Sequence, residues 1–188
     1  SFEYGISGKW LELLKEIAPG VTRVGVLRDP TTPTGSAMFG VIQALAPSLR
    51  VEVNPVNIRD AGEIERAVAT FARASNGGLI VTAGNTAEAH RDLIVTLAAR
   101  HKLPAVYFER FLVAAGGLIS YGPNQVDQFR LAAGYVDRIP QGEQPADLPV
   151  QAPTQLGTLI HRQTPQPPGL TGPPPRLAPP AAVPRARA

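Results

Sequence analysis

The chain has 188 residues, of which 20 are proline and none is cysteine, so neither disulfide bonds nor thiolate metal sites can form. Residues 1–150 carry 14 basic and 15 acidic side chains, whereas the last 38 residues carry four arginines and no acid. The net charge of +3 therefore arises from the tail, and a folded basic surface for nucleic acid is not expected. No apolar run approaches the roughly 20 residues that span a bilayer, so direct membrane insertion is not expected.

The first part of the chain alternates helical and strand-like patterns. The expected elements are a helix over residues 7–17, a strand over 23–27, a helix over 34–46 and a strand over 50–56. Ser7 is the expected N-cap of the first helix. Pro55 cannot donate a backbone hydrogen bond, which predicts that the end of the second strand lies at a sheet edge or leaves the sheet.

The same alternation continues to residue 139. The expected elements are helices over 60–74, 85–101 and 124–139, strands over 79–81, 103–107 and 117–121, and a short helical turn over 110–115. Asp60 and Glu63 have the spacing of a capping box, which marks the start of a helix. In the last helix, the side chains expected to face the core are Val126, Phe129, Ala133 and Val136.

Repeated strand–turn–helix units predict a three-layer α/β fold, in which a mainly parallel sheet has helices on both faces. Ligands of such sheets bind outside the carboxyl ends of the strands, an edge called here the carboxyl edge. The turns that follow the predicted strands supply the candidate ligand-binding residues: Arg28, Asp29, Asn85, Glu109, Arg110, Tyr121 and Gly122.

Four stretches of the sequence resemble a known family. They are Lys9–Glu16 with Pro19, Val24–Leu27, Gly116–Pro123, and Tyr135–Ile139 with Gly142–Val150. Together, over about residues 5–160, they resemble the ABC transporter substrate-binding proteins of the ABC-sub-bind group, which have the type I periplasmic-binding-protein fold. The resemblance implies a second lobe of such a protein, with a residual hinge segment at 1–6 and the substrate-binding lobe at 7–161.

Both ends of the chain depart from the family pattern. Family members carry a signal peptide and a whole first lobe before the equivalent of Ser7, so this sequence is expected to be a partial chain. They also end in a strand and a helix, but here Pro165, Pro167 and Pro168 replace the helix formers. Residues 162–188 are therefore expected to be a disordered, Pro/Arg-rich tail.

The resemblance implies that a small solute is held between two lobes that close by a hinge motion, without catalysis or a cofactor. Arg28 and Asp29 would pair with a carboxylate and an ammonium group, and Asn85 would offer its amide and the N–H groups of a helix start to an anion. Tyr107, Phe108 and Tyr121 would cover an apolar part. The implied partner is a transporter permease, and the implied location is the periplasm, or the cytoplasm if the chain is expressed as it stands.

Each candidate also has a purely structural interpretation, which the sequence leaves open. Arg28 and Asp29 suit a plain turn, Asn85 a helix cap, and Tyr107 the core. Glu109 and Arg110 suit a surface ion pair. At a ligand site, they would instead bind polar groups of the solute.

Two other classes of function occur in α/β domains of this kind. An enzyme or receiver-like domain would need a phosphate loop, a nucleophile elbow, clustered histidines or an acidic pair with a late lysine, and the sequence has none of these patterns. An effector-binding domain of a repressor would use the same fold, but no helix-turn-helix precedes this segment.

Limited proteolysis tests the expected division between body and tail. Because proline removes backbone donors and the tail has few apolar side chains, a protease should trim residues 162–188 and leave the body intact. Mass spectrometry of the digest would locate the cuts, and a protected tail would contradict the expectation.

Overall fold

The computed structural model describes residues 2–140, 142, 144 and 156–161, and the predicted tail over 162–188 lies outside these residues. The helices are α1 (Phe2–Ile17), α2 (Pro33–Leu45), α3 (Ala61–Phe71), α4 (Asn85–Ala89), α5 (Arg91–Arg100), α6 (Arg110–Ala114) and α7 (Gln125–Arg138), with a 3₁₀ turn at Ala46–Leu49. The strands are β1 (Arg23–Arg28), β2 (Glu52–Asn57), β3 (Gly77–Val81), β4 (Ala105–Tyr107), β5 (Ile119–Pro123) and β6 (Leu156–Ile160).

The strands form one sheet in the order β2-β1-β3-β4-β5-β6, in which β1 to β5 are parallel and β6 is antiparallel to β5. Helices α1 and α2 contact each other, and α3, α5 and α6 form a second group of contacting helices. Strand β3 is buried along its whole length, as expected when helices cover both faces. The predicted three-layer, mainly parallel α/β fold is therefore confirmed.

Local sequence signals account for the boundaries of several elements. The Asp60 carboxylate accepts a 2.8 Å hydrogen bond from the backbone N–H of Glu63, which caps α3 as predicted. The predicted apolar side of this helix, made by Ile64, Val68 and Phe71, is buried against the sheet. Strand β2 lies at one edge of the sheet, which is one of the two positions that Pro55 allows.

Two predicted helix boundaries are wrong. Helix α1 begins at Phe2 rather than at Ser7, because Ile6 extends the buried side of the helix by another turn, and Ser7 is buried inside the helix instead of capping it. The helix predicted over 85–101 is divided at His90 into α4 and α5. The hinge role of residues 1–6 stays a prediction, although residues 2–6 are helical and continuous with α1.

The prediction that α7 buries its apolar side is also wrong. The helix is present, but Val126, Phe129 and Val136 are 64%, 73% and 66% exposed, and Ala133 is exposed as well. The helical spacing was identified correctly, yet no part of the chain that the structure describes covers these side chains. None of the described helices combines the length and the apolar character needed to cross a lipid bilayer.

The glycine at position 117 tests how closely the core is packed. A Cβ at Gly117 would lie 2.7 Å from the Leu112 carbonyl oxygen and 2.7 Å from the ring of Tyr107, which is fully buried. Gly117→Ala should therefore lower the free energy of unfolding by about 1–3 kcal/mol, as overpacking does.

Urea unfolding of the two proteins would measure this loss, and Gly40→Ala is the matched control. A Cβ at Gly40 on α2 meets nothing within 4 Å, so this variant should be as stable as the parent or more stable by about 0.5–1 kcal/mol. Equal stability of the Gly117 and Gly40 variants would contradict this account of the core.

Candidate functional site

The order of the strands determines where the carboxyl edge opens. From β1 the chain passes through α2 to β2 at the sheet edge, and then returns past β1 through α3 to reach β3. The direction of strand addition therefore reverses between β1 and β3. In doubly wound sheets of this order, the connections after these two strands lie on opposite faces and leave a crevice between them.

Arg28, at the carboxyl end of β1, is held in place by three neighbours. Its Nε donates a 2.9 Å hydrogen bond to Oδ1 of Asn57, and its Nη1 lies 3.5 Å from Oγ of Ser36. Its guanidinium carbon lies 4.9 Å from the centre of the Phe39 ring, a cation–π distance. Arg28 is half-buried, so a positive charge is fixed at the edge while staying accessible to solvent.

Asp29 connects the two sides of the crevice. Its Oδ1 accepts hydrogen bonds from the backbone N–H and the hydroxyl of Thr31, at 2.9 and 2.6 Å, and its Oδ2 accepts a 3.0 Å bond from the hydroxyl of Thr86 on α4. The bonds from Thr31 are the main reason that the pKa of Asp29 is lowered, and Thr86 and the charge of Arg59 lower it further. The carboxylate is therefore ionised at neutral pH and bonded across the point where the strand order reverses.

Asn85 is the first residue of α4 and is exposed next to Thr86. Because α4 has only five residues, the helix start at Asn85 is followed by little more than one turn of aligned peptide groups. Its predicted role in binding an anion stays a prediction.

The residues at the end of β4 and directly after it have different environments. Tyr107 is 1% exposed, and burial raises the pKa of its hydroxyl. Phe108 is also buried and makes an edge-to-face contact with Phe111 at 6.0 Å. The structural interpretation of Tyr107 is thus correct, and neither ring is available to cover a solute. Glu109 is 8% exposed and Arg110 is half-buried, both at the start of α6.

Tyr121 and Gly122 lie within β5, which extends two residues beyond the strand predicted over 117–121. The carbonyl of Tyr121 accepts a 2.6 Å hydrogen bond from Nε1 of Trp10, which joins α1 to the carboxyl end of β5. A Cβ at Gly122 would lie 2.5 Å from the carbonyl oxygen of Phe108, so close backbone packing explains this glycine. The side chain of Tyr121 is half-buried, and its contact with a solute stays a prediction.

Four further residues belong to the site and were missed by the sequence reasoning: Thr31, Asn57, Arg59 and Thr86. Thr31 has a local signal, because an aspartate bonded to the residue two positions later is a common turn. Asn57 lies opposite Arg28 because of the register between β1 and β2, and this register could not be predicted from the sequence. Within residues 2–140 and 156–161, no group of three or more His, Asp or Glu side chains is arranged to bind a metal ion.

The sequence matches the family model described as ABC transporter substrate binding protein over residues 6–173, and the chain belongs to this family. A search of curated proteins finds no significant match.

Several solved structures have the same fold. The Streptococcus pneumoniae ABC domain in complex with L-Trp has a TM-score of 0.71 and 21% identity, covering 84% of this chain and 55% of that one. A conserved domain protein from Vibrio cholerae has a TM-score of 0.72 and 20% identity, covering 84% and 53%. An ABC transporter solute binding protein from Agrobacterium vitis with bound allitol has a TM-score of 0.58 and 12% identity, covering 87% and 62%. The chain thus spans about half the length of the first two structures.

The hydrogen bonds of Asp29 lead to a prediction about pH. Because the folded-state pKa of Asp29 is lowered, its stabilising effect is fully present above its unfolded value of 3.8 and is lost as pH falls through the folded value. Asp29→Asn should therefore lower the melting temperature by roughly 2–4 °C near pH 7, and the difference should shrink as pH falls below 3.8.

Thermal unfolding followed by circular dichroism from pH 2 to pH 7 would measure the difference. Glu65→Gln, which changes an exposed carboxylate on α3, is the control and should show no such trend. A difference between Asp29→Asn and the parent that is independent of pH would contradict the role of the ionised carboxylate.

Proposed function

We propose that this chain is one lobe of the solute-binding component of an ABC-type uptake transporter, and that it binds a small polar molecule at its carboxyl edge without catalysis. The observation that carries the proposal is the Asp29–Thr86 hydrogen bond, because it joins the ends of β1 and β3 where the strand order reverses. Arg28 lies directly beside it and is held by Asn57. A fixed cation and a fixed anion are thus adjacent at the position where ligands of such sheets bind.

The two charged groups keep hydrogen-bonding capacity for a ligand. A carboxylate has about four acceptor sites, and the hydrogen bonds to Asp29 use three. A guanidinium has five N–H donors, and Arg28 uses its Nε and Nη1 groups. Arg28 would bind a carboxylate or hydroxyl of the solute, and Asp29 an ammonium or hydroxyl. Two of the similar structures contain such ligands: L-Trp has a carboxylate and an ammonium group, and allitol has hydroxyl groups.

A facing lobe is part of the proposal. Sites for small molecules bury most of the ligand surface, but an open sheet edge covers only one side of a ligand. The similar structures extend well beyond the stretch that matches this chain, which gives room for a second lobe. Closure of the two lobes around the solute, docking on a permease and a location outside the cytoplasm complete the proposed role.

Binding by this chain alone should be weak. If each lobe supplies about half of a micromolar affinity of roughly −8 kcal/mol, one lobe keeps roughly −4 kcal/mol, which corresponds to a millimolar dissociation constant. Titration calorimetry of the 188-residue chain against amino acids, polyols, sugars and aromatic acids would measure this. Tight binding by the isolated chain, or turnover of any of these compounds, would refute the proposal.

In a two-lobe protein that contains this chain, Arg28→Ala should weaken binding about 10-fold or more, since loss of a hydrogen bond to a charged group costs about 1.5–3 kcal/mol. Tyr121→Ala should also weaken binding, because the ring that would cover an apolar part of the solute is lost. Arg100→Ala is the control for arginine loss, because Arg100 is exposed at the end of α5, away from the carboxyl edge. If Arg28→Ala and Arg100→Ala bind the solute equally well, the site lies elsewhere.

A further inference from the structure

The charged side chains are distributed differently at the two ends of the sheet. At the carboxyl edge, cations and acids are neighbours in the sequence: Arg28 and Asp29 after β1, Arg59 and Asp60 after β2, and Glu109 and Arg110 after β4. The opposite end, where β1 to β5 begin, is called here the amino edge. The segments just before β2, β3 and β4 carry four exposed cations and no acid, and these cations are called the basic cluster: Arg50, Arg73, Arg100 and Lys102.

The sheet brings the segments that carry the basic cluster together. The carbonyl of Asn76, before β3, accepts hydrogen bonds from the N–H groups of Thr22 and Arg23, and the N–H of Glu52 donates a 2.8 Å bond to the carbonyl of Thr22. Strands β2, β1, β3 and β4 are neighbours in this order, and neighbouring strands lie about 4.8 Å apart. The basic cluster thus extends over roughly 15 Å, so one flat anionic surface can contact all four side chains.

The positive charges of the basic cluster are not neutralised by described residues. None of its four side chains forms an ion pair within the part of the chain that the structure describes, whereas Lys9, Arg59 and Arg91 each pair with a carboxylate. Glu52, the acid nearest to Arg50 in the sequence, accepts a 2.9 Å hydrogen bond from the side chain of Asn54. The charges of the cluster therefore remain available to a partner.

A structural role for these cations is not evident either. Helix C-termini attract cations, and Lys15 shows this role, since its Nζ donates 2.8 Å bonds to the carbonyls of Pro19 and Val21. No side chain of the basic cluster donates such a bond to the described residues. Arg50 and Lys102 also have a φ of 53°, in the left-handed region where glycine ends a helix with less strain. The turns would thus be more stable without a long cationic side chain at these two positions.

The arginine-containing segment over 162–188 begins at the same end of the sheet. Strand β6 is antiparallel to β5 and ends at Ile160, opposite Ile119. The N–H of His161 then donates a 3.0 Å hydrogen bond to the carbonyl of Leu118, just before β5. The chain therefore leaves the described domain at the amino edge. Residues 162–188 contain no acid, and their four arginines add to the charge of the basic cluster: Arg162, Arg176, Arg185 and Arg187.

We propose that the amino edge docks on the surface of an anionic lipid bilayer, through the basic cluster and the arginines of residues 162–188. Each Lys or Arg close to such a surface strengthens binding about 5-fold. The contact is peripheral, because none of the described helices can cross a bilayer. It would direct the carboxyl edge away from the lipid, so that the proposed solute site stays accessible.

Nucleic acid fits the same charges less well. Sites for single strands usually offer aromatic side chains on which bases stack, and residues 162–188 contain no aromatic residue. They instead place Leu177 beside Arg176 and Val183 two residues before Arg185. Apolar side chains next to cations suit the boundary between lipid headgroups and acyl chains.

Vesicle sedimentation of the 188-residue chain tests the proposal. The chain should bind vesicles made of equal parts phosphatidylglycerol and phosphatidylcholine, and should not bind pure phosphatidylcholine. Raising the NaCl concentration from about 0.1 M to about 1 M should release it, because the Debye length falls from about 10 Å to about 3 Å. Arg50→Gln combined with Arg73→Gln should weaken binding at least about 10-fold.

Arg66→Gln combined with Arg91→Gln is the matched control. It removes the same charge from exposed positions in the middle of α3 and at the start of α5, away from the amino edge, and should weaken binding less than about 3-fold. A third variant, with Arg176, Arg185 and Arg187 all changed to Gln, leaves the described domain unaltered and should weaken binding at least about 10-fold.

Hydrogen exchange with and without the anionic vesicles needs no variant. The amides of residues 72–76 and 101–104 should be protected, and those of residues 29–31 should not. Equal losses of binding in the two double variants, binding that does not respond to salt, or protection at the carboxyl edge alone would overturn the proposal. Tighter binding to a DNA duplex than to the vesicles would also overturn it, since nucleic acid would then be the partner. Solute binding is measured separately, so a failure of vesicle binding leaves the proposed function standing, and the reverse holds as well.

Discussion

The reversal of strand order between β1 and β3 is the constraint on which the rest of the structure depends. It places helices α2 and α4 on different sides of the sheet and opens the carboxyl edge between them. Asp29 bonds across this opening to Thr86, and the backbone of β1 is joined there to the residue after β3 by the hydrogen bond from Thr82 to Leu27. These hydrogen bonds fix the geometry of the carboxyl edge, where we propose that a ligand binds.

Much of the fold could be predicted from the sequence because its signals are local. The Asp60 cap and the strand at 79–81 follow from residue type and spacing, and Pro55 limits the end of β2 to a sheet edge or an exit from the sheet. The carboxyl edge could be located for the same reason, since every parallel strand ends there. Boundaries were less predictable, because the extension of α1 to Phe2 depends on tertiary packing of Ile6.

The site could be predicted only in part. Arg28 and Asp29 follow a strand and were identified, but their partners Asn57 and Thr86 come from other elements that the sheet register brings near. Burial of Tyr107 and the exposure of α7 both depend on what packs nearby, which a periodic pattern does not specify. The helical spacing of the apolar residues in α7 was identified correctly, but no part of the chain that the structure describes covers these side chains.

The central claim is that the carboxyl edge is half of a solute-binding site, and amide chemical shifts of the 188-residue chain test it most directly. Titration with L-tryptophan, other amino acids and allitol at millimolar concentrations should move the signals around Arg28 and Asp29, Arg59, and Asn85 and Thr86. The amino ends of the strands and helix α5 should not respond. Shifts confined to other surfaces, or none with any of these compounds at high millimolar concentration, would contradict the account.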